Sequence, residues 1–211
     1  MVYLALAGKR ALIRGSEEAV TLLNAELSTV DDQTYTFDNE LVEALDPTAD
    51  ITVYEAGTPT TEEFEVNRLT ATITFEEVDA NRGNITADIE YLPLSQIAQA
   101  NEYDYSLSAD NADISAFGDE YVEREQTLLD VTGSLSRWFE LDDYFEDLLL
   151  DDEILLIEFY SFYDEQEENE PDLKAWVLLD TDDISAVVDG VVEQSVDFEG
   201  THDIDNRTVS V

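Results

Sequence analysis

Apolar and polar residues alternate through the middle and the end of the chain, and this period of two predicts β-strands. Residues 68–75 and 85–91 alternate on either side of a polar turn, which predicts a hairpin with one apolar face. Residues 154–162 are apolar almost throughout, which predicts a central strand buried on both faces. Residues 184–198 alternate around an Asp-Gly dipeptide, which favours the type I′ turn of a hairpin.

One segment, residues 142–150, has helical spacing, with carboxylates at its start and aromatic and leucine side chains on one face. The fold class predicted is therefore mainly β: an antiparallel sandwich or barrel with one flanking α-helix. Residues 61–202 are predicted to form the main β domain. Residues 1–60 are an N-terminal β extension or part of that domain, and residues 203–211 are a C-terminal tail.

The charge changes the picture, because 52 Asp and Glu residues against 9 Lys and Arg residues give a formal net charge of −43. Self-repulsion of this size opposes a compact state unless salt screens it, and the Debye length falls to about 3 Å at 1 M salt. The composition is 44% hydrophobic and 10% aromatic, which is globular rather than disordered usage. A protein that folds in the molar salt of a halophile is the simplest interpretation, and an acidic DNA mimic is an alternative.

Several kinds of function are disfavoured by composition. There is no Cys and a single His, His202, which is expected to be exposed, so thiol chemistry and a multi-histidine metal site are not expected. The basic residues are scattered, which disfavours nucleic-acid binding. Apolar runs are shorter than the ~18 residues of a membrane span, and basic residues follow the apolar start rather than precede it. Cytoplasmic synthesis without a secretory signal and without membrane insertion is expected.

In so acidic a chain, the presence of neighbouring carboxylates is weak evidence for a catalytic or metal site. Pairs of carboxylates suited to acid–base catalysis are expected by chance, so a hydrolase is the last of the hypotheses. The cluster Asp110, Asp113, Asp119 and Glu120 does not have the spacing of a calcium-binding loop. We therefore predict no catalytic residue, no cofactor and no metal. Asn84 and Asn206 each begin a glycosylation sequon, a short motif that also arises by chance.

From about residue 83 to residue 202 the sequence resembles the tail tube (major tail) proteins of siphovirus-like tailed viruses. The resemblance lies in the order and spacing of several segments, with Ser115-Ala116 where a Thr-Ser pair is usual. The segments are GNIT (83–86) with YLP (91–93), YSLSAD (105–110) with DISAFGD (113–119), LLDVTGSLSR (128–137), and AVVDGVVE (186–193) with FEGT (198–201).

This resemblance implies a structural virion protein without an active site, from a virus that infects a halophilic archaeon. Such subunits form rings of six that stack into a hollow tube around a tape-measure protein and meet tail completion and baseplate proteins. Viral DNA passes through the tube without specific binding. Assembly in the host cytoplasm, at high salt, is implied.

A long loop of that family joins subunits and rings, and here it corresponds to residues 108–128. The contact positions that the resemblance implies are Asp113, Phe117, Asp119 and Arg124. Two alternatives remain: another all-β tail or head-completion protein that forms a single ring, and an acidic DNA-mimic binding protein. Repulsion between acidic subunits predicts that assembly strengthens with salt.

Overall fold

The structure of the protein is a computed structural model. It describes residues 12–29, 31–79, 82–96, 100–113, 124–138, 149–150, 153–160, 171–186 and 192–210. Within these residues the protein is mainly β, and all strand pairs with a given register are antiparallel. The predicted fold class is confirmed in this respect. The helix predicted at 142–150 lies outside the described residues except for 149–150, which have helical backbone.

The strands of the first half of the chain are β1 (Leu12–Ser16), β2 (Val20–Thr29), β3 (Thr34–Phe37), β4 (Thr52–Glu55), β5 (Thr58–Pro59), β6 (Phe64–Asn67), β7 (Thr72–Phe75), β8 (Ile85–Tyr91) and β9 (Leu94–Gln96). Those of the second half are β10 (Ala100–Asp113), β11 (Arg124–Trp138), β12 (Leu155–Tyr160), β13 (Leu173–Ala186), β14 (Val192–Gly200) and β15 (Val209–Ser210). The described residues divide into two compact units: unit 1 holds those within 12–13 and 98–201, and unit 2 holds those within 14–97 and 202–210.

Unit 1 contains a sheet of order β10-β11-β14-β13-β12, followed by β1. All six residues of β12 are buried, so the central strand predicted within 154–162 is confirmed. The predicted hairpin near the end of the chain is also confirmed, because β13 and β14 pair up to Ala186 and Val192. Its turn lies outside the described residues.

Unit 2 contains a seven-stranded sheet of order β5-β4-β8-β2-β3-β7-β6. Its core is a cluster of aliphatic and aromatic side chains that includes Leu27, Tyr35, Ile73, Phe75 and Ile89. Within the same unit, β9 pairs with the last three residues of β1. Stretch 14–60 lies in this unit together with 61–97, and its role as an extension stays a prediction.

The hairpin predicted between residues 68–75 and 85–91 is wrong. β7 pairs with β6 and β3, whereas β8 pairs with β2 and β4. Arg68 begins a turn between β6 and β7 instead of a strand. The alternation does show that β7 and β8 each bury one face, with Ile73 and Ile89 at 0% and 2% exposure. It carries no information on which strand lies beside which.

Candidate assembly surface

The outer strand of unit 1 carries exposed apolar side chains. Among the described strands, β10 pairs with β11 alone and so forms an edge of its sheet. Residues 104–108 of β10 are all exposed, including Tyr105 at 38% and Leu107 at 42%. A long edge strand of this kind is a template for pairing with another chain unless it is blocked. We call residues 104–108 the β10 edge.

The β10 edge rests on a cluster of four aromatic rings within unit 1. The ring of Phe159 lies 5.3 Å from that of Tyr103, 5.1 Å from that of Tyr105 and 5.7 Å from that of Phe198. The Tyr103 hydroxyl donates a hydrogen bond to the carbonyl of Tyr160 at 3.3 Å. Burial raises the pKa of Tyr103, and the charge of Asp172 adds to it. Because Phe159 is on β12, four strands along the sheet from β10, the sheet curves enough to bring these rings together.

Gly133 allows these rings to pack. The register places it between Tyr105 of β10 and Phe198 of β14. A Cβ atom at this position would lie 2.4 Å from the carbonyl oxygen of Asp104 and 2.5 Å from Cζ of Phe198. A side chain therefore has no room here, and the absence of a Cβ atom lets the ring of Phe198 pack closely against β11.

A buried ion pair fixes the register of β12 and β13 beside the aromatic cluster. Lys174 Nζ lies 2.8 Å from Glu158 Oε1, and the Tyr160 hydroxyl donates to Glu158 Oε2 at 2.8 Å. Glu158 is 2% exposed. The pairing of Glu158 with Lys174 across the two strands places the charges opposite each other. Any shift of register would separate two buried charges, so the pair specifies the alignment that holds Phe159 in place.

The structure describes two of the four contact residues implied by the resemblance. Asp113 and Arg124 are opposite each other in the backbone register of β10 and β11, at the last described pair of these strands. Phe117 and Asp119 lie outside the described residues. Their role in subunit contact stays a prediction. The site residue that the sequence analysis did not single out is Leu107. Its signal was present in the alternating residues of segment 105–110.

Five basic side chains described by the structure are engaged with carboxylates. Arg14 binds Glu43, Arg68 binds Asp205, Arg82 binds Glu62, Lys174 binds Glu158 and Arg207 binds Glu65. A phosphate backbone would have to displace these carboxylates. Within the described part of the chain there is no cluster of three or more acidic or His side chains that could hold a metal ion. His202 is exposed, as the sequence predicted.

The described helical residues include no helix that is long and apolar enough to cross a membrane.

No protein-family model matches the sequence, and no curated protein matches it. Two solved structures are similar in part. One is described as the tail of an empty gene transfer agent particle with C6 symmetry, with 13% identity and a TM-score of 0.42 over 56% of this chain and 85% of that chain. The other is the virion of a native gene transfer agent particle, with 14% identity and a TM-score of 0.39 over 50% of this chain and 82% of that chain. With TM-scores below 0.5, these likenesses carry no further conclusion about this chain.

Proposed function

We propose that this chain is a structural subunit of a viral tail, which assembles as rings of six that stack into a hollow tube. The observation that carries the proposal is the β10 edge, a long strand with apolar side chains and one unpaired side among the described strands. The ordered resemblance of residues 83–202 to tail tube proteins supports it. Nothing in this role requires an active site.

The aromatic cluster suits such a role. Tyr105 stands on Phe159, and Phe159 is 1% exposed and held by a strand that is buried on both faces. The β10 edge is thus presented by a rigid base, so little conformational entropy is lost when a neighbouring subunit binds it. An interface built in this way supports repeated, identical contacts around a ring.

The charge of −43 suits passage of DNA and sets the conditions for assembly. Carboxylates in a lumen repel phosphates, so a genome would slide without specific binding. The same carboxylates repel between subunits until salt screens them. In this proposal the tube forms at high salt in the cytoplasm of a halophilic host, around a tape-measure protein and between completion and baseplate proteins.

Negative-stain microscopy of the purified protein from about 0.1 M to about 3 M KCl tests the proposal, because repulsion is screened progressively over this range. Stacked rings or tubes at high salt are the expected result. Single rings would favour a ring-forming completion protein, and a monomer at every salt and protein concentration would refute self-assembly.

A single substitution ties the test to the β10 edge. Leu107→Ser removes apolar area from the edge and should raise the protein concentration needed for assembly roughly tenfold, or ~1.4 kcal/mol per contact. Leu41→Ser is the matched control, because Leu41 is 66% exposed in unit 2. Equal assembly by both variants would show that the β10 edge is not the interface.

A further inference from the structure

The seven-stranded sheet of unit 2 has an edge strand whose backbone faces outward. The register pairs Phe64 of β6 with Phe75 of β7, and the amide of Glu76 donates to the carbonyl of Glu63 at 3.3 Å. In an antiparallel ladder this alternation turns the N–H and C=O groups of Phe64 and Val66 away from β7. The guanidinium of Arg207 donates to the carbonyl of Val66, in keeping with that direction. β6 is the last strand of this sheet among those described.

A cavity of about 400 Å³ lies along this edge. Its apolar lining is Ile51, Phe64 and Val66, and these side chains are only partly buried although they pack against the core of unit 2. The apolar core of unit 2 is therefore accessible from this cavity. We call the cavity, together with the outer side of β6, the β6 groove.

The polar lining of the β6 groove is more acidic than basic. Asp50, Glu65 and Asp205 face two guanidinium groups, and both of these are already engaged. Arg68 Nε lies 3.1 Å from Asp205, and Arg207 Nη2 lies 3.6 Å from Glu65. The groove thus offers unpaired backbone groups, exposed apolar side chains and an excess of carboxylates. An extended apolar segment with basic residues at one end complements all three.

This chain contains one segment of that chemistry. Residues 2–8 read VYLALAG, an apolar stretch suited to an extended strand, and they are followed by Lys9 and Arg10, the only adjacent pair of basic residues in the sequence. We propose that residues 2–10 of a second copy add as a short strand to β6 and fill the β6 groove. Lys9 and Arg10 then face the excess carboxylates.

The inference rests on the proposed self-assembly, because the occupant comes from another subunit. A segment of one copy in a groove of the next is a head-to-tail contact, which closes into a ring when the rotation between copies allows it. The added strand bonds to the N–H and C=O of Phe64 and the N–H of Val66, and it covers Ile51.

Disulfide trapping tests this proposal with little background, because the chain has no Cys. One preparation carries Asp50→Cys at the groove. The second carries Tyr3→Cys, Leu4→Cys or Ala5→Cys, each made separately. The two are mixed in molar KCl and oxidised, and mixed dimers are identified by intact mass. Each chain has a single thiol, so a mixed disulfide can form only between copies.

In the control, Leu41→Cys replaces Asp50→Cys. At one register position the mixed disulfide with Asp50→Cys should form roughly tenfold faster than the one with Leu41→Cys, because the bound segment raises the effective concentration of its thiol at the groove. Alternate positions should react, since neighbouring side chains of a strand face opposite ways. Charge reversal of Lys9→Glu with Arg10→Glu should weaken the preference, and more so as the salt concentration is lowered, because repulsion from Glu65 and Asp205 is then less screened.

Microscopy of the same samples separates the two claims. Rings or tubes without preferential trapping would overturn the strand-addition proposal and leave the proposed function standing. Preferential trapping in samples that never form rings would support strand addition and overturn the tail-tube function. Absence of both would overturn both.

Discussion

Units 1 and 2 stabilise their β-sheets by different chemistry. Unit 1 packs aromatic rings around Phe159 and buries one ion pair within the sheet, between Glu158 and Lys174. Unit 2 packs an aliphatic and aromatic core, and its arginines join segments that are distant in the sequence. Arg68 and Asp205, for example, are 137 residues apart.

This difference teaches how a chain with few cations uses them. A buried pair is screened little by salt, whereas partly exposed pairs lose strength as the ionic strength rises. The buried pair of unit 1 should therefore lose little of its strength as salt is added. The arginine pairs of unit 2 should weaken more, because their carboxylate partners are 32–80% exposed. The predictions below test this contrast.

The largest effect is expected when the buried pair of unit 1 is broken. Lys174→Met leaves Glu158, which is 2% exposed, without its ammonium partner. Breaking a buried pair costs about 3–5 kcal/mol, measured by urea unfolding in molar KCl. The triple variant Glu158→Leu, Lys174→Met, Tyr160→Phe replaces the whole group and should regain most of this loss. If Lys174→Met unfolds like the wild type, the pair does not stabilise unit 1.

A slightly smaller effect is expected at Gly133. Gly133→Ala places a methyl group against the backbone of Asp104 and the ring of Phe198, and such overpacking costs about 3 kcal/mol. Gly57→Ala in unit 2 is the matched control, because nothing lies within 4 Å of its Cβ and the strain comes from φ of +79° alone. That strain costs about 1 kcal/mol. If Gly133→Ala and Gly57→Ala lower the free energy of unfolding equally, the aromatic cluster can rearrange to accommodate the methyl group.

In unit 2 the sharpest test is Arg82. Its side chain is 1% exposed, its guanidinium lies 3.9 Å from the Phe75 ring centre, and Nη1 lies 2.5 Å from Glu62. Arg82→Lys keeps the charge but loses the planar stacking, which should cost about 1 kcal/mol in urea unfolding. Arg14→Lys, at a partly exposed pair with Glu43, should cost about 0.5 kcal/mol or less. A larger loss at Arg14 would contradict the distinction between buried and surface arginines.

The sequence predicted those parts of the fold that depend on local pattern. The buried β12 and the β13–β14 hairpin follow from an apolar run and from alternation around Asp-Gly. The neighbours of β7 and β8 could not be predicted, because strand pairing depends on the packing of the whole sheet. The same limit applies to the site: the apolar alternation of β10 was visible, but its position at an edge follows from topology. The β6 groove, lined by residues from 50 to 207, has no local signal at all.

The smallest effect is expected at Asp31, in the turn between β2 and β3 of unit 2. Its carboxylate accepts hydrogen bonds from the amides of Thr34 at 2.7 Å and Gln33 at 3.0 Å, and these hold its pKa below the ordinary value of 3.8. A folded-state pKa below the unfolded one stabilises the protein above the unfolded pKa, and that contribution is lost as the pH falls through the folded pKa. Asp31→Asn should therefore lower the melting temperature slightly at neutral pH and approach the wild type under acid conditions.

Thermal unfolding of both proteins at a series of pH values in molar KCl measures this convergence. Asp38→Asn removes the same charge at an exposed carboxylate that accepts no hydrogen bond among the described residues, so it serves as the control. Its difference from the wild type should reflect only the relief of repulsion and should have the opposite sign. If Asp31→Asn also raises the melting temperature at neutral pH, repulsion in this acidic surface outweighs the backbone hydrogen bonds of the turn. Repulsion would then limit the stability of this turn even in molar salt.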